Sequence, residues 1–533
     1  MDSMNADATK EELHADPIDI NTSISYLAAT PISLDRILQK CGDLGRFQFI
    51  HYFFINLISM SAAVAGFYYV FAVADSDHRC RLPANVWPND TQYNPINITH
   101  ELIINTYIPK TKDGKKWEQC VLYSTEYPND TLIDCPNGWV YDRSVFGYTF
   151  TEEANLVCAR KPKQSWIATL MQCGGFALLI IGTFADKFAL LLLNQFASGL
   201  TAAAFSLIFI LVLELTSSAH TSLAGNVALV SFAVGEGIVT LFAYLAKDWQ
   251  ILKWADTAFI GLVIPYLYFM PESPLYMYSK RQYVQLEGLL RRIATTNKRK
   301  EEDWYPVYQE FLKNQTAISL STNELSLSQK ANRILTHRST VLKLLTTALL
   351  GFTTLMLYIK ISYGLAVMSI SPYLGILIGA AVEAAGYVAG SLLISTRLAR
   401  KGSFILMGVL TTICVILIPI LLKYSPIATV FIAQFGKFAV SGAIAVSWIF
   451  VPELFPTSIR SSANGFFIAF SRIGAIVAPI INASVSNEYL SYTFYASAGL
   501  AVIVVLLTLL LPETKYKQLD EEEDYETNQN SAA

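Results

Sequence analysis

Uninterrupted apolar runs recur along this 533-residue chain near 47–73, 164–184, 189–213, 223–246, 255–271, 341–360, 372–395, 403–423, 426–450, 463–482 and 491–511. Each approaches or exceeds the roughly 20 residues a helix needs to cross a hydrocarbon core about 30 Å thick. One such run could be a buried core helix, but a series of them predicts membrane spans. Only helices and closed barrels satisfy every backbone group in lipid, and uninterrupted runs rather than alternation select helices. The pattern predicts an all-α membrane protein with about eleven transmembrane helices. Composition agrees, with 53% hydrophobic and 15% charged residues.

Between the spans lie two long polar stretches of opposite character. Residues 74–163 hold Cys80, Cys120, Cys135 and Cys158, with glycan acceptor sequences at Asn89, Asn97 and Asn129. An even cysteine count beside such acceptors predicts an oxidised, glycosylated extracellular domain, and four cysteines leave three pairings open. Residues 272–340 lack cysteine and carry Lys280, Arg281, Arg291, Arg292, Lys298, Arg299 and Lys300. Basic loops stay on the cytoplasmic side, so this stretch is expected inside. The expected organisation is a cytoplasmic tail over 1–46, a first helix bundle over 47–271, a cytoplasmic central loop over 272–340, a second bundle over 341–511 and an acidic cytoplasmic tail over 512–533. The first 46 residues show no secretory signal, so the first span is expected to act as its own insertion signal.

Orientation exposes a mismatch. With 74–163 outside, the span at 164–184 ends inside, and a return to a cytoplasmic 272–340 needs an even number of further crossings. The apolar runs supply three. Ala185-Asp186-Lys187-Phe188 is followed at once by Ala189-Leu190-Leu191, which leaves no room for a loop and another helix.

Ordered motifs carry a family resemblance. Gly45-Arg46-Phe47-Gln48 opens the first span, and Asp77-His78-Arg79-Cys80-Arg81-Leu82-Pro83 opens the cysteine stretch. Cys135-Pro136-Asn137-Gly138-Trp139, Pro271-Glu272-Ser273-Pro274, Pro452-Glu453-Leu454-Phe455-Pro456 through Arg460, and Pro512-Glu513-Thr514 follow. From about Leu34 to Thr514 the chain resembles the organic cation, anion and zwitterion transporters of the major facilitator superfamily. The resemblance implies two six-helix bundles around a central cavity, working by alternating access, here with the third helix missing. It also implies cytoplasmic gate motifs at Asp186 and Lys187, at Arg397 and Arg400, and at Glu453 and Arg460. The first lacks its usual continuation, and the stretch 396–401 lacks its usual acidic residue.

Charge inside a span is costly and marks candidate sites. Arg472, Lys360, Lys437, Glu383 and Glu236 meet that test. Arg472 stands where the resemblance places an acid in cation carriers and arginine in anion or zwitterion carriers. A guanidinium stays charged and binds a carboxylate bidentately; the alternative is an interhelical salt bridge. Lys437 and Lys360 either add positive potential to the same cavity or serve structure, through a pair with Glu383 or by snorkelling. Tyr244, Tyr266, Tyr358, Tyr363 and Phe467 are candidate ring surfaces for an organic solute.

No nucleotide loop, zinc spacing or nucleophile with its base is present, so neither an enzyme nor a cofactor or metal site is expected. A net charge of −3 and the lack of a basic stripe argue against a nucleic-acid partner. The expected partners are the bilayer and a small organic ion, carried by a monomer in the plasma membrane. Anions or carnitine-like zwitterions are favoured. Organic cations, or a non-transporting form that lacks one helix, are the alternatives.

Overall fold

The computed structural model describes residues 34–111, 114, 116–124, 131–161, 163, 209, 211–217, 220–319, 338–368, 371–455, 457–484 and 489–514. A short helix α1 (Leu34–Lys40) leads into the first span, α2 (Arg46–Ala72). The Gln48 side chain accepts from the Gly45 N–H at 3.2 Å and so covers one of the free donors of the first turn of α2.

The cysteine-rich segment folds as a small domain with two antiparallel ribbons. Strand β1 (His78–Cys80) comes first, then helix α3 (Ile98–Tyr107), β2 (Val121–Tyr123), β3 (Leu132–Asp134), β4 (Trp139–Tyr141) and helix α4 (Phe150–Glu153). β1 pairs with β4, and β2 with β3. Of the three possible pairings, the structure has Cys80–Cys135 and Cys120–Cys158. Asn89 and Asn97 are exposed. Asn97 also caps α3 through Oδ1, 2.7 Å from the His100 N–H, an atom that a glycan on the amide nitrogen leaves free. Asn129 lies outside the described residues.

The domain is tied to the helix bundle through Tyr148, whose N–H and C=O bond to the Lys247 carbonyl and the Trp249 N–H, each at 3.1 Å. Gly147 makes this approach possible: φ is 70°, and a side chain there would meet the Lys247 carbonyl.

Helices α5 (Thr221–Ala246), α6 (Trp249–Gly261) and α7 (Ile264–Leu267) follow. Here the span expected at 255–271 is corrected. Its helix starts at Trp249, because Asp248 accepts from the N–H groups of Gln250 and Ile251. It breaks after Gly261, because Pro265 has no N–H with which to continue the ladder.

The polar stretch after Pro271, expected as a loop, is largely helical: α8 (Pro274–Ser279), α9 (Tyr283–Thr296) and α10 (Glu301–Ser319). Leu286, Leu289, Leu290 and Ile293 recur at helical spacing and form one stripe. That stripe packs with Ile37, Trp304 and Tyr308 into a separate small core. Asn297 fastens this unit to the first span: its Oδ1 accepts from Phe47 N at 2.8 Å, and its Nδ2 donates to the Gly42 carbonyl at 2.8 Å.

The second half comprises α11 (Arg338–Met368), α12 (Pro372–Ser395), α13 (Ala399–Leu422), α14 (Pro426–Glu453), α15 (Thr457–Ser484) and α16 (Leu490–Thr508). Pro372 and Pro426 sit in the first turns of α12 and α14, where the missing N–H costs nothing. Among the described residues, eight helices are long and apolar enough to cross a membrane: α2, α5 and α11 to α16. The chain is therefore a multi-pass membrane protein. The apolar runs at 164–184 and most of 189–213 lie outside the described residues, and so does the question of the third helix. Across the interface between the halves, α5 packs along α12.

The candidate transport cavity

A cavity of about 110 Å³ lies between the halves. Its walls come from α2 (Ala62, Gly66, Phe67), α5 (Leu229, Phe232), α11 (Thr354, Leu355, Tyr358, Ile359), α12 (Tyr387), α14 (Ile444, Trp448) and α15 (Phe467, Ile468, Ser471, Arg472). Six of these sixteen residues are aromatic, and among the described residues Arg472 is the only charged side chain in the lining. Helices α11 and α15 approach closely: at Gly474 a side chain would collide with the Phe352 carbonyl. Such a wall accepts flat or amphipathic bodies with loose geometry, while one guanidinium supplies direction.

Three of the other candidates gather just behind this wall. Lys437 Nζ sits 2.7 Å from Glu236 Oε1 and 3.1 Å from Glu383 Oε2, with all three side chains at most 1% exposed. Glu383 also accepts from the hydroxyls of Tyr358, at 3.0 and 3.1 Å, and of Tyr387, at 2.7 Å. The two tyrosines thus present their rings to the cavity and their hydroxyls to the acid. Lys437 makes the pair with Glu383 that the sequence left as one option, and it reaches Glu236 across the two halves as well. None of these three charges is in the cavity lining.

Lys360 points elsewhere. Its Nζ donates to Thr493 Oγ1 at 2.8 Å and Ser497 Oγ at 3.2 Å of α16, and lies 4.4 Å from the Phe494 ring centroid. Tyr244 belongs to a ring cluster at the cysteine-domain end. There Tyr373 of α12 stacks on Phe71 of α2 at 5.4 Å and meets Tyr244 at 5.6 Å and Phe146 at 6.0 Å. These contacts join the two halves at that end. Tyr266 bonds His51 Nδ1 at 2.8 Å, away from the cavity. The side chain of Tyr363 lies outside the described residues.

At the opposite end, residues expected in the gate motif of the second half meet two other segments of the chain. Arg400 pairs with Glu453 at 2.9 Å, and Thr514 donates to the same carboxylate at 2.7 Å. Glu513 accepts from the N–H groups of Arg400 and Lys401, at 3.1 and 3.0 Å, and caps the start of α13. The acid absent from 396–401 is thus supplied from two other places in the chain. Arg397 is exposed. Asp186, Lys187 and the Arg460 side chain lie outside the described residues.

In the first half, Asp43 binds the Ser217 hydroxyl and His220 Nδ1 at the end of the bundle. Burial raises the Asp43 carboxyl, but the hydrogen bonds from Ser217 and His220 outweigh it and hold the group below its ordinary value.

Sequence reasoning passed over Tyr387, Phe67, Phe232 and Trp448. Tyr387 was within reach, since it stands four residues after Glu383 on one helix face. The others are single aromatics in apolar runs and carried no signal.

Residues 156–525 match the family described as "Sugar (and other) transporter", and the chain belongs to that family, within the major facilitator superfamily. It is a membrane transporter and not an enzyme. Among curated proteins it is 25% identical to solute carrier family 22 member 4 of Mus musculus, over 90% of this chain and 92% of that one. It is 26% identical to solute carrier family 22 member 13 of Homo sapiens, over 90% of each, and 24% identical to organic cation transporter 1 of Caenorhabditis elegans, over 93% and 88%. These relatives place it with the organic ion transporters that its motifs resemble. Its fold is similar to the partially occluded inward-open xylose transporter XylE from E. coli, with TM-score 0.51, 14% identity, and coverage of 88% of this chain and 100% of that one. A double-tryptophan mutant of XylE gives 0.53 at 15% identity, over 90% and 99%.

Proposed function

We propose that this chain carries a small organic anion or zwitterion bearing a carboxylate across the plasma membrane by alternating access, as a monomer. The observation that carries the reading is Arg472, whose charged side chain lines a cavity with six aromatic residues between the two halves. A carboxylate there gains a charge-assisted, bidentate partner, and the rest of the solute lies on Phe67, Phe232, Trp448 and Phe467. The cysteine domain faces outside and carries glycans at Asn89, Asn97 and Asn129. The basic helical segment 272–340 faces the cytoplasm. Tyr373 and its ring neighbours then form the outer closure, and Arg400, Glu453 and Glu513 belong to the inner side.

One observation favours a second reading, organic cation transport. Rings bind cations through their faces, and Glu383 stands behind Tyr358 and Tyr387. Uptake of a radiolabelled panel of anions, cations and carnitine-like zwitterions by cells displaying the chain separates the two. Uptake confined to carboxylates and zwitterions supports the first reading, and uptake confined to cations overturns it. Uptake of nothing, with the protein at the surface, favours the form impaired by a missing helix.

A further inference from the structure

Glu236, Lys437 and Glu383 form a cluster of two acids and one base, all three at most 1% exposed. One ammonium neutralises one carboxylate, so the cluster with every group ionised holds one excess negative charge in a dry interior, which is costly. Hydrogen bonding divides the two acids. Glu383 accepts from Lys437 and from the hydroxyls of Tyr358 and Tyr387, whereas Glu236 receives Lys437 on Oε1 and its buried Oε2 finds no hydrogen-bond partner among the described residues.

Among the described residues, the elements packed around Glu236 bring no further cation to it. Helix α2 offers the Phe67 ring, 5.8 Å from Lys437 Nζ, and the backbone of Met60 against Gly235. Helix α12 offers Glu383 and Tyr387, α11 offers Tyr358, and α14 offers Lys437. Helix α6 carries two ionisable groups, Lys253 and Asp256, of which Asp256 lies near Tyr68. Space beside the ammonium is tight: a side chain at Gly379 would stand 3.2 Å from Lys437 Nζ.

We propose that this cluster is a proton-binding site in which Glu236 takes up one proton on Oε2 and thereby loosens the tie between the two halves of the transporter. The O–H bond forms with a proton drawn from water on whichever side the protein is open. Lys437 then has a single charged partner, Glu383, which lies in its own half. Glu236 of the first half is left with a neutral hydrogen bond in place of an ion pair, so separation of α5 from α14 no longer parts opposite charges. Release of the proton restores the link. The consequence for the transport cycle rests on the alternating-access reading, whereas the proton site does not.

Infrared spectroscopy of the full chain reconstituted in lipid tests this without any substrate. The expected result for protein labelled with carbon-13 glutamate is a protonated-carboxyl band that titrates reversibly and is lost in Glu236→Gln. Labelling excludes Asp256 from the signal. Should the Gln variant fail to fold, Glu236→Asp keeps the acid one methylene shorter, and in this unlabelled position the labelled band should disappear. No titrating band in the native chain, or a band unchanged in both variants, overturns the proposal. A band that behaves as expected in a chain that takes up none of the solute panel supports the proton site and counts against the substrate reading alone.

Discussion

Two fully buried ion-pair centres in this molecule are built to different degrees of completion. In the cysteine domain, Arg79 grips Asp90 with two bonds of 2.7 Å, and both side chains are 0% exposed. The remaining valences are filled as well. Arg79 donates to the carbonyls of Gln92 and Tyr93, and Asp90 accepts from the Leu82 N–H at 3.0 Å. In the membrane, Lys437 serves two carboxylates, and among the described residues one oxygen of Glu236 has no hydrogen-bond partner. A saturated pair within one domain fixes a conformation. An unsaturated one that spans two packed halves leaves an alternative open at modest cost.

The contrast breaks first at Arg79. Arg79→Ala leaves a buried carboxylate uncompensated, a loss of about 3–5 kcal/mol. The expected outcome is a chain retained inside the cell, read as lost surface labelling. Normal surface levels in that variant would remove the distinction between the two centres.

Arg472→Asp should spare surface expression and weaken carboxylate uptake by several kcal/mol, because the cavity loses a charge-assisted pair and gains repulsion. Parallel measurement of surface protein and uptake separates this from misfolding.

Acid should act on the saturated centre in a known direction. Burial alone raises the Asp90 carboxyl, but the Arg79 and Leu82 hydrogen bonds and the nearby Arg79 and His100 charges bring it below its ordinary value. A carboxyl depressed in the folded state contributes stability above its unfolded value of about 3.9, and that contribution is lost as pH falls through the folded value. Domain unfolding followed by tryptophan fluorescence should therefore set in below about pH 4. Asp90→Asn should remove that part of the pH dependence.

The smallest effect is expected at Lys360. Lys360→Met removes two hydroxyl partners at a cost of about 1 kcal/mol. It should leave the charge preference of uptake unchanged, since the side chain faces α16 and not the cavity. A switch in preference would return Lys360 to the site.

Span positions were legible because apolar runs of membrane length mark them. The first expected span, 47–73, is built as Arg46–Ala72, and that at 372–395 as Pro372–Ser395. Helices α9 and α10 were not, because their apolar stripes are narrow and set among charged residues, which reads as loop when only long apolar runs are sought. Charge within apolar runs drew attention to Arg472, which lines the cavity, and to Glu236, Lys437 and Glu383, which lie behind its wall. Partnership was not legible: Glu236 and Lys437 are 201 positions apart, and only the packing of the halves joins them. Tyr244 and Tyr266 show the limit for aromatics, whose role depends on depth and facing that composition does not carry.

Whether Arg472 reads a carboxylate is decided by comparing uptake of one transported carboxylate with uptake of its neutral amide. Uptake of both is measured in cells that display equal amounts of the native chain or of Arg472→Gln. The native chain should strongly prefer the carboxylate, and that preference should collapse in the variant while uptake of the amide is little changed. An undiminished preference for the carboxylate in Arg472→Gln would contradict that reading.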